Sequence, residues 1–560
     1  MNRLFPAYHQ PRAALLAWTI AGLLLPAAAL AGSAGEDAPA GADDDGQATP
    51  LQSLAPAEPQ MKAPPQQQTF LLQAVRFSGA TQVDEARLQA LAAPLLGRQV
   101  SLAELQALAA QITALYRSRG YFLAQAVVPV QEVRDGHVQI SVAEGVLGVV
   151  DVQVADDAPI PRERVERMLA TLQPGQPLDG REYERRMLLL SDLPGIRPRS
   201  AVSSGAEAGS SNLVVKVDRG RPLSFLLEAD NHGTPESGRA RLGGTLRWAS
   251  PTGHGDNLDL RLMVAEDAHT LFGRLSYEMP VGYDGARIGA GFSRVQYELG
   301  GAFRALEATG TANITDLSLS WPALRQRSGN WFVRAGIDNK ALTDRFEAVG
   351  LSVGKRVQGI GIGTSFEYRD RLLGGGYTSF NLALYGGRLH IHDPAARVLD
   401  HSPFGRQTEG GFSKFTVQAT RLQALSARTT LYLGAGLQAA SRNLDPSEQL
   451  SLGGPRAVRA YSSNELLVDR GWLANLELRW SASDNLTPFL LYDIAHGQYD
   501  TLRHPLARVN GRSLRGYGLG VNWGRPGRYT VNASLSWPDA GRPLADRREP
   551  RLYLQLQHSF

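Results

Sequence analysis

Beyond about Arg221 the sequence contains no convincing amphipathic helix; it is built from short segments in which apolar and polar residues alternate, separated by Gly, Pro, Asp, Asn and Ser. A period of two puts the apolar residues of each segment on one face of a β-strand and the polar residues on the other. In WLANLELRW, Trp472, Ala474, Leu476, Leu478 and Trp480 share one face, while Asn475, Glu477 and Arg479 share the other. In YTVNASLSW, Tyr529, Val531, Ala533, Leu535 and Trp537 oppose Thr530, Asn532, Ser534 and Ser536. Similar dyads occur at Leu258–Val264, Leu317–Trp321, Leu431–Leu437 and Tyr517–Trp523. A soluble sandwich or propeller alternates as well, but two features favour a membrane barrel. Several apolar faces end in Trp or Tyr, as at the two interfaces of a bilayer, and the opposite faces carry charge and glycine at mid-strand.

About sixteen segments are expected, an even number that would enclose a channel. They begin near Leu223, Arg239, Asn257, Thr270, Ala286, Ala312, Asn330, Gln358, Tyr377, Phe412, Thr429, Gly471, Asn485, Arg515, Tyr529 and Arg551. In the last, Leu552, Leu554, Leu556 and Phe560 point one way and Tyr553, Gln555, Gln557 and Ser559 the other, so Phe560 lies in a closing strand. Composition agrees. A mean hydropathy of −0.21, with no long apolar run beyond the N-terminus, excludes a bundle of transmembrane helices. The 560 residues imply several domains. With no cysteine there is no disulfide scaffold, thiolate metal site or cysteine nucleophile, which suits an oxidising compartment. A net charge of +4 is too small to imply nucleic acid.

The N-terminal part reads as four pieces. Arg3 and Arg12 precede an uncharged run from Ala13 to Leu30, and Ala29-Leu30-Ala31 is a small-x-small site, so residues 1–31 are expected to be a secretory signal peptide. Its removal takes two arginines and no acid, lowering the charge from +4 to +2. Residues 32–68, rich in Ala, Pro, Asp and Gln, read as a flexible linker with room for one short plug helix near Leu51–Leu54. Residues 69–144 have a β-α-α-β-β rhythm. An extended stretch Phe70–Phe77 leads to a helix that Asp84 can cap, with Leu88, Leu91 and Leu95 on one face. A capping box at Ser101 and Glu104 opens a second helix carrying Leu105, Leu108, Ile112 and Leu115, which Gly120 stops. Strands follow from Tyr121 and at HVQISV. Residues 145–220 repeat that order, with Val165, Met168 and Leu172 on the first helix, Tyr183, Met187 and Leu190 on the second, and a break at Leu193-Pro194-Gly195.

ITALYRSRGYFLAQAVVPVQEVRDGHVQISVAEG (Ile112–Gly145) and LLLSDLPGI (Leu188–Ile196) resemble the first and second POTRA domains of the outer-membrane transporters of two-partner secretion, the TpsB family. The motif residues are Tyr116, Arg117, Arg119, Gly120 and Tyr121, then Leu193, Pro194 and Gly195. The resemblance covers nearly all of the chain after the signal and implies a membrane all-β barrel (221–560) preceded by two α+β POTRA domains (69–144 and 145–220). Inside the barrel, GGPRAVRAYSSNE resembles the superfamily's Val-Arg-Gly-Phe/Tyr hairpin, here Val458, Arg459, Ala460 and Tyr461, and FLLYDIAHG resembles the strand whose Asp493 receives that arginine. The family pattern thus implies that residues 441–470 fold back into the lumen, pinned by an Arg459–Asp493 pair. Alternation supports this in part, since Asp493 lies opposite Tyr492 and a carboxylate is tolerated only on the lumen face. The sequence departs from the family at Ala460, where glycine is usual; a tip needing positive φ would be strained there.

The resemblance further implies a channel of the bacterial outer membrane with its POTRA domains in the periplasm. Its cargo would be a large secreted exoprotein, an adhesin, cytolysin or toxin, bound unfolded through an N-terminal targeting domain. Outer-membrane lipid and, during biogenesis, the barrel assembly machinery complete the expected partners, with Phe560 as the assembly signal. The alternative is a barrel-assembly or insertase-like factor, against which two POTRA copies argue; a passive pore or adhesin leaves the tandem domains without a use. No enzyme constellation is present: no G-x-S-x-G, P-loop or H-E-x-x-H occurs, and no cofactor is expected. His390 and His392 read as a polar strand edge rather than a metal pair, and GIGIG (359–363) and GYGLG (516–520) as smooth barrel wall.

Overall fold

The structure is a computed structural model describing residues 69–207, 209–502, 509–525 and 527–560. The expected signal peptide, linker and plug helix lie outside the described residues. The chain divides into two compact units, one reaching to Arg221 with Thr252–Gly255, the other holding Pro222–Pro251 and Asp256–Phe560.

In the N-terminal unit, strand Ala74–Ser78 runs parallel to His137–Ala143, which pairs antiparallel with Gln125–Val127. Helices Glu85–Ala92 and Leu102–Ser118 bury Leu88, Leu105, Leu108 and Ile112 against Val75, Ala126, Val138, Ile140 and Val142. The capping box forms: Ser101 Oγ accepts from Glu104 N at 3.3 Å, and Ser101 N donates to Glu104 Oε2 at 2.8 Å. Three local expectations change. The stretch Phe70–Phe77 splits, because Thr69–Leu71 leaves to pair with Gln99–Ser101. Asp84 holds the N-cap position, but its side chain accepts no hydrogen bond. The strand expected from Tyr121 starts only at Gln125, because Gly120 at φ 105° turns the chain and Tyr121 N bonds back to Tyr116 O at 3.1 Å.

Residues 146–219 repeat this topology: Val146–Val154 runs parallel to Ser210–Arg219, which pairs antiparallel with Ile196–Ser204. Helices Arg162–Leu169 and Gly180–Ser191 cover the sheet, although Leu172 lies beyond the first helix. On the second, Arg186, Leu189 and Leu190 are buried while Tyr183 and Met187 are only half-buried, so its inner face is rotated from the expected one. The two repeats meet through Gly180 N and Gly120 O at 2.9 Å. A Cβ on Gly180 would stand 2.6 Å from that oxygen, so the approach requires glycine.

The second unit is a closed antiparallel barrel of 16 strands. Seven begin at the expected residue and most others within a few positions. The exception is Leu351–Asp370, expected near Gln358, because the polar run Gly354-Lys355-Arg356 reads as a loop. It is a strand whose inward residues Val353, Lys355 and Val357 are buried. The ring closes where Gln555–Ser559 pair with Leu226–Asp230. Apolar side chains such as Leu262, Leu319, Ile362, Leu476, Leu519 and Leu554 are exposed on the outer face, and Trp248, Trp321, Trp472, Trp480 and Trp523 stand among them. An apolar exterior of this kind suits lipid and not water. Connections at the end where the barrel chain starts and finishes are short, such as 282–285 and 326–328. Those at the other end include 392–409, which carries the helix Pro394–His401 that sequence patterning missed, and 441–469.

Candidate functional site: the loop across the lumen

Residues 441–469 connect Thr429–Ala440 to Arg470–Trp480 but do not stay at the rim. They touch inward-facing residues of strands on both sides of the barrel, which only a segment lying across the interior can do. At the tip, Arg459 Nε and Nη2 donate to the two oxygens of Asp493 at 2.9 and 2.7 Å, and its backbone N–H donates to Asp493 Oδ2 at 3.0 Å. Asp493 sits on Leu486–Gln498 with its side chain inward and is fully buried. Two side chains that sequence reasoning did not assign to this centre complete it. Glu477 Oε1 accepts from Arg459 Nη1 at 2.5 Å, and Asn475 Nδ2 donates to Asp493 Oδ1 at 2.7 Å. Their signal was present in the polar face of WLANLELRW: Asn475 stands directly opposite Asp493 in register, and Glu477 lies one inward position further.

This fork geometry is the strong form of a charge-assisted contact, since a planar guanidinium meets a carboxylate through two parallel N–H donors. Arg479 binds the second oxygen of Glu477 at 2.7 Å, so the two acids face two guanidiniums. Val458 packs in an apolar cluster with Leu452, Leu466, Val468, Ala495 and Leu514. The Tyr461 hydroxyl donates to Ala540 O at 2.7 Å, and its own carbonyl accepts from Tyr553 Oη at 2.8 Å. Ala460 does not adopt positive φ, so the strain expected there is absent. Its buried methyl instead faces Gly516, where a Cβ would come within 2.5 Å of the Ala460 Cβ. The glycine runs are therefore more than smooth wall. Gly516 admits the tip, and Gly359 and Gly520 make room for the Tyr385 and Phe489 rings.

The remaining candidates lie elsewhere. Tyr116 is buried, and its hydroxyl donates to Glu144 at 2.8 Å; Thr81 and Gln82 bind the same carboxylate. Burial opposes the Glu144 charge, yet these donors outweigh it and hold its pKa below the ordinary 4.5. Arg117 is exposed, while Arg119, Gly120 and Tyr121 are half-buried around the turn. Leu193 is buried, and Gly195, at φ 83°, turns the chain between the end of the helix at Ser191 and the strand that starts at Ile196. Phe560 follows the last strand residue, Ser559; its ring lies 5.8 Å from Phe225, and its N–H donates to Phe225 O at 2.9 Å. His390 and His392 meet edge to face at 4.8 Å, with His390 Nδ1 3.0 Å from Glu409.

With this geometry in place, comparison with known proteins is informative. Residues 70–145 match the ShlB-type POTRA domain. The heme/hemopexin transporter protein HuxB of Haemophilus influenzae is 26% identical over 450 residues, 79% of each chain. The outer membrane transporter CdiB of Dickeya dadantii is 25% identical over 432 residues, 74% of this chain and 73% of that one. The solved structure of CdiB from Escherichia coli shares the fold, with a TM-score of 0.68 and 21% identity over 91% of this chain and 94% of that one. Residues 209–523 match the haemolysin secretion/activation proteins, and the chain belongs to this ShlB/FhaC/HecB family.

Proposed function

We propose that the loop across the lumen is a latch on a protein-conducting pore, with Arg459 as its catch. The chain is a two-partner secretion transporter of the bacterial outer membrane, its POTRA domains lie in the periplasm, and its partner is a secreted protein. Members of the family are transporters, not enzymes. The partner arrives unfolded and is captured by its N-terminal targeting domain, which adds as a strand to an open edge of a POTRA sheet, where backbone hydrogen bonds bind with limited sequence dependence. Residues 145–220 serve as the second POTRA domain. The loop then shifts, and the chain passes outward through the barrel. No nucleotide motif is present, so the driving force is folding of the partner outside the cell, which removes translocated chain from the returning pool.

The observation that supports this reading is the buried contact of Arg459 with Asp493 and Glu477, which holds a segment across the lumen. Breaking a buried pair by removing one partner costs about 3–5 kcal/mol. That is large enough to govern a loop and far too small to undo a closed sixteen-strand ring. The Arg459→Ala variant is therefore expected to assemble normally in the outer membrane and to lose secretion. Wild-type export by that variant would refute the latch.

A further inference from the structure

The sequence contains five lysines: Lys62, Lys216, Lys340, Lys355 and Lys414. All the rest of its 58 Lys+Arg residues are arginine, and the barrel holds only the last three lysines. These three sit on separate strands, Gly329–Phe346, Leu351–Asp370 and Gly410–Ala424, and all face inward to one place. What they meet is the root of the inward loop. Lys340 Nζ lies 2.6 Å from Glu448 Oε1, and Lys414 Nζ lies 2.8 Å from Glu448 Oε2. Lys355 Nζ lies 3.2 Å from Asp445 Oδ2 and 3.3 Å from Asp344 Oδ2 on its neighbouring strand. Asp445 spends its other oxygen on Ser447, accepting from the backbone N–H at 3.0 Å and the hydroxyl at 2.7 Å, which shapes the Asp-Pro-Ser-Glu turn. Tyr385 lies beneath two of the ammoniums, its ring centroid 5.6 Å from Lys340 Nζ and 5.4 Å from Lys414 Nζ.

We infer that Lys340, Lys355 and Lys414 form a carboxylate-binding site in the barrel wall, specific for an Asp-x-x-Glu segment, which the chain's own Asp445 and Glu448 occupy. The site is a second anchor of the loop, independent of the Arg459 centre and of opposite polarity. At the root an acidic loop docks on basic wall; at the tip a basic loop docks on acidic wall. Exchanging the two ends would bring like charges together, so the pair of sites fixes the loop's direction across the lumen. The wall at the root carries only two inward carboxylates of its own beside the three ammoniums, Asp338 and Asp344. The loop's two acids turn that local excess of one positive charge into an excess of one negative charge, with every ammonium within 4 Å of a loop carboxylate. Outward residues at this height, Arg345, Ser352 and Arg356, are polar and exposed, which places the site above the apolar belt and within reach of added reagents.

The absence of cysteine permits a direct test that does not depend on export. A Ser447→Cys reporter is introduced into the full chain, purified in detergent, and its rate of labelling by a hydrophilic maleimide is measured. With both anchors intact, labelling is slow. Arg459→Ala leaves it within about twofold, because the root remains held. Lys340→Gln, Lys355→Gln and Lys414→Gln together raise it at least about tenfold, since a segment deprived of its buried ion pairs opens locally far more often. To separate lost anchoring from a damaged wall, a Lys355→Asp, Asp445→Lys exchange is expected to restore slow labelling relative to Lys355→Asp alone. Heat-modifiable migration of the unboiled protein establishes that each variant is a closed barrel. An unchanged rate in the triple lysine variant, or an equal rise in Arg459→Ala, overturns the inference. So does failure of the exchange to slow labelling.

Discussion

Arg459 and Asp493 illustrate what a single side chain reveals in a sequence. A carboxylate in a strand otherwise written FLLY has nowhere to point except the lumen, so Asp493 was legible from alternation alone. That Arg459 would reach it rested on resemblance, because the two are far apart in the chain and no local rule connects them. Glu477 was visible as an inward residue but not as the third member, since alternation gives the face of a residue and not its height relative to a loop. The same limit applies to Tyr116. Helical spacing puts Leu115 on the inner face, yet it is Tyr116 that is fully buried, and its hydrogen bond to Glu144 depends on how a helix meets a distant strand end. At this scale one prediction follows. Glu144 has a depressed pKa in the folded domain, so its contribution is present above the ordinary carboxylate value and is lost as pH falls through the lowered one. Tyr116→Phe removes one of its donors and is expected to destabilise the domain by about 1–2 kcal/mol at neutral pH. The measurement is hydrogen exchange of the helix Leu102–Ser118 in the full-length protein. The gap between wild type and variant should shrink once the medium is acid enough to protonate Glu144, and a gap constant with pH would contradict the assignment.

Among elements, strands were the most legible because their signal is local: each needs only its own alternation to announce itself. Where that failed, the cause was height above the membrane. The start of Leu351–Asp370 rises past the apolar belt, so both of its faces are polar or mixed and the period-two signal fades. The inward loop shows the opposite problem. Its composition, with Gly, Pro and Ser, reads as an exposed connection, yet Leu452, Val458, Ala460, Tyr461 and Leu466 are buried. What makes burial affordable is the close fit of the tip to one strand, Gly511–Arg525. Gly516→Ala puts a methyl within 2.5 Å of the Ala460 Cβ and 3.0 Å of Trp537 O. Overpacking of this kind costs about 1–3 kcal/mol. The variant is expected to loosen the loop, read as increased protease cleavage within 441–469 of an otherwise resistant barrel. Ala460→Gly in the same chain removes the closer of the two clashes and should restore most of the protection. If the double variant is cleaved as fast as Gly516→Ala alone, the two residues do not meet.

For the whole molecule, the closed ring and the blocked lumen are separable properties, and they rest on different interactions. Closure depends on backbone hydrogen bonds around sixteen strands and on an apolar exterior covered by an apolar medium. The proposed blockage rests on one loop with charged contacts at its root and tip. A ring of this strand number encloses an aqueous channel when nothing fills it. Neither the number of strands nor the presence of lumen charge would reveal from sequence whether the pore stands open, because the answer lies in long-range pairings such as Lys340 with Glu448 and Arg459 with Asp493. Replacing residues 444–466 with a short Gly-Ser turn removes both anchors together with the obstruction, while leaving every barrel strand intact. The expected outcome is a barrel that still migrates as folded before boiling, and a single-channel conductance in planar bilayers that rises from low and intermittent to large and steady. A conductance equal to that of the intact chain would mean that something other than this loop closes the pore, and the assignment of blockage to residues 441–469 would fall.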